Sequence, residues 1–221
     1  SNEELKDSLS TMLVDCSRII VKLGVDQIVD GLVDDEIKSN SRDRQKFGLG
    51  PVSIIDPSRM INELRLRKSH AEIDLMRHSA KIAAQAHIQA MAHTKPGVGE
   101  WQLEGIIEGL FKYCKTSGSA YPSIIGSGAN ATILHYTVNN DSCDAGEVIL
   151  IDAGCEYNGY ASDITRSWPV SGKFSEAQAE IYQIVLDAQL AAIDQCRVGN
   201  PYDAPHDAAR KVLAEGLIRL G

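Results

Sequence analysis

The run from Val148 to Arg166 constrains this chain more tightly than any other segment. Two strand-like stretches, Val148 to Tyr157 and Tyr160 to Arg166, flank the dipeptide Asn158-Gly159. That dipeptide is the strongest short hairpin signal, because a type I′ turn needs positive φ at both central positions. A two-residue loop fixes the register. Tyr157 then faces Tyr160, Cys155 faces Ser162, Gly154 faces Asp163 and Asp152 faces Thr165. Side chains alternate faces along a strand, so Asp152, Gly154, Asp163 and Thr165 share one face. A one-residue slip would separate them.

In this register Asp152 and Asp163 are diagonal neighbours, roughly 5–8 Å apart at their β-carbons. Gly154, opposite Asp163, is expected to leave an open space between them. Two carboxylates beside an apolar strand repel each other and are costly to desolvate unless cations sit between them. The spacing suits two divalent ions about 3.5–4 Å apart, bridged by one carboxylate. Spacing alone favours the plainer reading, two acids that cap strand ends or bind backbone and water.

Composition narrows the remaining classes. The 221 residues suit one large domain or one and a half ordinary ones, and 43% hydrophobic with 24% charged is globular rather than disordered. With 22 Lys+Arg against 30 Asp+Glu the net charge is −8 and no basic stripe exists, so nucleic acid is not an expected partner. The cluster Arg59, Arg65, Arg67 and Lys68 is interrupted by Glu63 and reads as a solvated helix entrance. Cys16, Cys114, Cys143, Cys155 and Cys196 are scattered and odd in number, which fits a reducing, cytoplasmic compartment rather than a disulfide framework. The opening Ser1-Asn2-Glu3-Glu4 has neither a basic n-region nor an apolar h-region, so these residues are not expected to be a signal peptide. The longest uncharged stretch, Thr116 to Asn140, is too polar and too rich in Gly and Pro to span a membrane.

Along the chain, residues 1–58 read as strand and helix fragments. Apolar runs lie at Thr11 to Val14 and Ile19 to Leu23, a charged stretch at Asp34 to Lys46 and a short strand at Val52 to Ile55. Pro57-Ser58 marks a break, which places a domain boundary within Gly48 to Ser58. Ser69 with Glu72 is a capping box that opens a helix with apolar residues Ile73, Met76, Ala80, Ala83, Ala84, Ile88 and Met91, ended by Pro96-Gly97. A second helix, Glu100 to Lys115, buries Leu103, Ile106, Ile107, Leu110 and Phe111. A third starts at Ser175 with Gln178 as its capping partner and runs to Cys196, and a fourth spans Pro201 to Leu220. Strands are expected at Ile124-Ile125, Ile133 to Val138, Val148 to Ala153 and Tyr160 to Val170. Helices on one side of a mostly antiparallel sheet make the class α+β.

His135, at the end of a neutral Gly/Ser-rich segment, fits a substrate pocket in which an imidazole exchanges a proton or a hydrogen bond with a reacting group. By itself, the residue is better read as a histidine satisfied within a sheet, since most buried polar groups are merely hydrogen-bonded. His70, His78, His87 and His93 read as helix-surface or packing residues, with no His-Glu-x-x-His pattern among them. The cysteines read as small core hydrophobes.

Taken together, Ile133-Leu134-His135-Tyr136-Thr137, Ile151 to Tyr157 and Gly159 to Arg166 closely resemble aminopeptidase P, the Xaa-Pro aminopeptidase branch of the pita-bread metallopeptidases. Supporting pieces are Arg65 to Ser69 with Glu72-Ile73, Tyr121-Pro122, Gly126-Ser127-Gly128 and Gly172-Lys173-Phe174. The likeness runs from about Glu63 to the end, and residues 1–58 resemble, more weakly, the tail of the family's N-terminal domain. The resemblance implies a partial pita-bread fold over residues 59–221. It also implies a two-metal, usually Mn²⁺-dependent peptidase that removes an N-terminal residue preceding proline. By position, Asp152 would bind one ion and Asp163 would bridge both. His135 would contact the substrate near the scissile carbonyl and help stabilise the tetrahedral intermediate.

The family's site also needs a later histidine and two glutamates. After Asp163 the chain offers only His206, Glu176, Glu180 and Glu215, all in helical contexts. The chain is therefore expected to be a fragment truncated at both ends, inactive alone and a poor metal binder, and to self-associate as a homo-oligomer. Within the fold, prolidase-type dipeptidase activity is an alternative, and methionine aminopeptidase is disfavoured by the sequence around His135. A non-catalytic peptide-binding module is a third reading, disfavoured by retention of both aspartates.

Overall fold

The computed structural model describes residues 2–13, 16–47, 51 and 53–221. They form two compact units, Ser1–Ser69 and His70–Gly221. In the first, α1 (Asn2–Leu13), β1 (Arg18–Ile20), α2 (Gln27–Phe47), β2 (Ser53–Ile55) and α3 (Ser58–Leu66) follow in order. β1 and β2 pair in parallel, Ile19 opposite Ile54. Leu13, Ile19 and Val33 form a small core. Asp26 caps α2, its Oδ1 accepting the amides of Ile28 at 2.9 Å and Val29 at 3.2 Å. The basic residues around α3 are exposed, as expected of a solvated helix. Val14, Val52 and residues 48–50, which belong to the expected apolar run, strand and boundary segment, lie outside the described residues.

The second unit is α4 (His70–His93), α5 (Glu100–Tyr113), β3 (Gly118–Ser119), β4 (Ile124–Ser127), a 3₁₀ turn (Gly128–Thr132), β5 (Val148–Ala153), β6 (Cys155–Tyr157), β7 (Tyr160–Ala161), β8 (Ile164–Pro169), α6 (Glu176–Asp194) and α7 (Ala204–Leu220). Two antiparallel sheets, in the orders β4-β5-β8 and β3-β6-β7, carry it. Ile149, Ile151 and Ala153 point from β5 into a core filled by Leu103, Ile107 and Phe111 of α5 and by the inner face of α4. The α+β expectation holds. So do the four helices, and the expected core face of α5 is the one buried. Ser175 and Gln178 form the reciprocal cap of α6, the Ser175 amide donating to Gln178 Oε1 at 2.9 Å and the Gln178 amide to Ser175 Oγ at 3.3 Å.

The buried face of α4 is Ser79, Ile82, Ala83, Ala86, His87 and Ala90, while Met76, Ile88 and Met91 are exposed. Small side chains let the helix approach the sheet closely enough for Ser79 Oγ to donate to the Cys155 carbonyl at 2.9 Å. Residues 133–138, expected as a strand, are a turn and an irregular segment. His135 takes φ +56°, incompatible with a strand, and Leu134 is exposed rather than packed against a partner.

Candidate active site

The hairpin forms in the register the turn dictates. Asn158 and Gly159 have φ of +50° and +82°, the left-handed pair that a type I′ turn requires. Tyr157 pairs with Tyr160, and Asp152 pairs with Thr165. Between those pairs the Ser162 amide donates to the Cys155 carbonyl at 2.9 Å, so the stem runs without a slip through the gap between β7 and β8. Behind it, the Cys155 amide donates to Ser162 Oγ at 3.0 Å, next to the bond from Ser79 of α4. Tyr160 donates to Glu72 Oε1 at 2.5 Å. The hairpin is thus anchored to α4 at two heights.

Asp152 is half-buried and Asp163 exposed, and both reach one hydroxyl. The phenol oxygen of Tyr121 lies 2.5 Å from Asp152 Oδ1 and 3.0 Å from Asp163 Oδ1. Burial pushes the Tyr121 phenol well above its ordinary pKa, and the hydrogen bonds and negative charges of Asp152 and Asp163 push the same way. The hydroxyl therefore keeps its proton and serves as a donor between two acceptors. The space expected beside Gly154 is not open. A Cβ there would lie 1.8 Å from the Ser162 carbonyl oxygen, so Gly154 is required for close approach of the two hairpin backbones.

Tyr121 was not among the site residues read from sequence. It arrives through non-local pairing: Gly118 and Ser119 pair with Glu156 and Cys155, and the Ala120 amide donates to the Gly154 carbonyl at 2.8 Å. Those bonds lay the residue beside the acidic stem, and no spacing rule links positions 121, 152 and 163. His135 is exposed, and among the described residues it makes no hydrogen bond or ion pair to either carboxylate. His206, Glu176, Glu180 and Glu215 lie on α6 and α7. Among the described residues no three His, Cys, Asp or Glu side chains come together as a metal site.

The acidic face continues into a cavity. Val148 and Leu150 share the Asp152 side of β5 and, with Thr165 and Ser167 of β8 and Ile181 and Val185 of α6, line about 790 Å³. The donor chemistry fits a hard or borderline divalent ion in part. Asp152 and Asp163 present oxygens that converge on one point, where the proton of Tyr121 now provides the positive end of a dipole.

The model of metallopeptidase family M24 matches residues 74–220. The chain is 38% identical over 192 residues to the Xaa-Pro aminopeptidase of Escherichia coli, covering 87% of this chain and 44% of that protein. It is 44% identical over 169 residues to the Xaa-Pro aminopeptidase of Haemophilus influenzae, covering 76% and 39%. The solved structure of Pseudomonas aeruginosa aminopeptidase PepP superposes with a TM-score of 0.93 at 37% identity, over 99% of this chain and 50% of that one. The chain spans about half the length of the curated relatives it matches, or less.

Proposed function

The chain belongs to metallopeptidase family M24, and from that premise we propose that it is the first part of the pita-bread catalytic domain of an Xaa-Pro aminopeptidase, which releases an N-terminal residue preceding proline. In this reading residues 1–58 are the remnant of a preceding domain and residues 59–221 open the catalytic one. The observation that carries it is the in-register hairpin that brings Asp152 and Asp163 to one phenol oxygen, within a chain whose relatives bear that activity in their names.

Asp152 and Asp163 would hold two divalent ions, with Asp163 as the bridge, and we assign these as Mn²⁺. When bound, such ions polarise a carbonyl and lower the pKa of a water. The protein's own residues supply orientation. The hairpin fixes the separation of the two carboxylates. Tyr121 keeps its proton and holds the pair in place from one side. His135, exposed on its turn, donates a ring hydrogen bond to the oxygen that gains charge at the scissile carbonyl. The apolar side chains of β5 and α6 line a cavity on the same side of β5 as Asp152 and offer a seat for apolar parts of a peptide. In this reading the protein acts on peptides as a cytoplasmic homo-oligomer, and the free state of all five cysteines fits a reducing compartment.

The test uses the complete gene product with Mn²⁺ and two substrates, an Xaa-Pro dipeptide and an Xaa-Pro-Xaa peptide. Cleavage of the longer peptide, lost in Asp152→Asn and Asp163→Asn, is the expected result. Cleavage of the dipeptide alone would make the protein a prolidase. Turnover of neither would leave a peptide-binding module.

A further inference from the structure

Glu100, the first residue of α5, is fully buried, and among the described residues it makes no ion pair. A buried carboxylate without a cation is costly. Four neutral donors offset that cost here. Oε1 accepts the Ser127 amide at 2.8 Å and Asn130 Nδ2 at 3.2 Å. Oε2 accepts the Tyr136 hydroxyl at 2.9 Å and the Asp141 amide at 3.1 Å. These bonds take up the carboxylate's acceptor capacity, and the N-terminus of α5 adds a favourable dipole.

The four donors share a purpose that their chain positions reveal. Ser127 closes β4, Asn130 sits in the 3₁₀ turn, Tyr136 directly follows His135, and Asp141 ends the irregular segment. One carboxylate therefore ties both ends and the middle of the segment 127–141 to one helix. That segment contains two non-glycine residues with positive φ, His135 at +56° and Asn139 at +49°. Such conformations persist only where the surroundings over-determine them. Asn139 is held by its own set: its Oδ1 accepts the Ile125 amide at 3.0 Å, and its Nδ2 donates to the Ser123 carbonyl at 2.9 Å and to Glu104 Oε1 at 3.0 Å. Among the described residues His135 makes no comparable bonds of its own, and its neighbour Tyr136 holds the turn.

We propose that Glu100 is the positioning residue for His135, its buried carboxylate fixing the turn that presents the imidazole. The proposal rests on the reading of His135 as the group at the scissile carbonyl. Glu100 does not touch substrate. Gln cannot replace it, because its amide NH₂ would face the Ser127 amide and the Asn130 side-chain amide in one orientation, or the Tyr136 hydroxyl and the Asp141 amide in the other.

The test compares wild type with Glu100→Gln and with Tyr136→Phe, which deletes a single donor and keeps the ring. The first readout needs no activity: amide exchange over 127–141 and the NMR signals of the His135 ring. Exchange in that segment should rise about 10–100-fold and the ring signals should shift, while amides of β5 and α5 keep their protection. Tyr136→Phe should show the same pattern more weakly. The second readout is peptide turnover by the complete gene product, where kcat should fall about 10–100-fold with KM nearly unchanged. Unaltered exchange and ring signals in both variants would overturn the proposal. So would loss of protection across the whole core in both, or a rise in KM at constant kcat. A wild type without turnover, with the exchange pattern intact, would sink the aminopeptidase reading and leave the positioning of His135 standing.

Discussion

Tyr121 carries the interaction on which the acidic pair depends. With its hydroxyl removed, two carboxylates face each other with no donor between them. Tyr121→Phe is expected to destabilise the metal-free protein by about 1–3 kcal/mol, the usual loss for a hydrogen bond to a charged group. Added Mn²⁺ should narrow that gap, which denaturant titration with and without the ion would measure. Glu104 makes a second prediction. Burial holds its carboxyl above the ordinary range, the charge of Glu108 adds to this, and the hydrogen bond from Asn139 opposes it. A raised folded pKa means that its stabilising contribution is present below the unfolded pKa and is lost as pH rises through the folded value. Glu104→Gln keeps an oxygen for Asn139. It should melt like wild type in acid and higher than wild type once pH exceeds the folded pKa, as paired melting curves across pH would reveal. Asp152 and Asp163 were legible as neighbours because a two-residue turn leaves one register. Tyr121 was not legible, because its placement depends on a strand pairing across more than thirty residues.

At the scale of elements, the hairpin is the unit that turns local chemistry into a site. Its two backbones approach so closely at Gly154 that a methyl group would strike the Ser162 carbonyl. Gly154→Ala should cost about 3 kcal/mol, the upper end for overpacking, by forcing the strands apart. The same variant should weaken Mn²⁺ binding, because Asp152 and Asp163 flank the wedge. Calorimetry of both properties on one sample checks this. The helices were legible wherever capping and periodicity agreed, as in α5 and α6. On α4 the periodicity marked the helix, while its buried face is made of small and polar side chains as well as Ile82. Ser79 and His87 are polar by composition, yet they pack inward: Ser79 donates to the Cys155 carbonyl across the interface, and His87 Nδ1 bonds the Ala83 carbonyl of its own helix. Residues 133–138 have the hydrophobicity of a strand. The buried Glu100 network and the left-handed backbone at His135 hold them as a turn instead.

At the scale of the molecule, α6 and α7 pack on each other, and Gly216 lets α7 lie directly against Ile184. Around that contact Ile181, Val185, Leu190, Ile193, Leu217 and Ile218 remain exposed, and these two helices expose more large apolar side chains than α5 does. Apolar surface of this kind favours association. The 221-residue chain is expected to gain mass with concentration in light scattering, and Val185→Lys with Ile193→Lys should return it to a monomer. By itself the sequence determined what depends on near neighbours: helix ends set by capping, the α5 stripe set by periodicity, and a hairpin register set by two residues that tolerate positive φ. Tertiary structure decided what depends on distant ones. It chose the face of α4, the turn at His135, and the phenol that holds two aspartates together. A buried polar group settles where its hydrogen bonds can be satisfied, and those partners are fixed only when the whole sheet has closed.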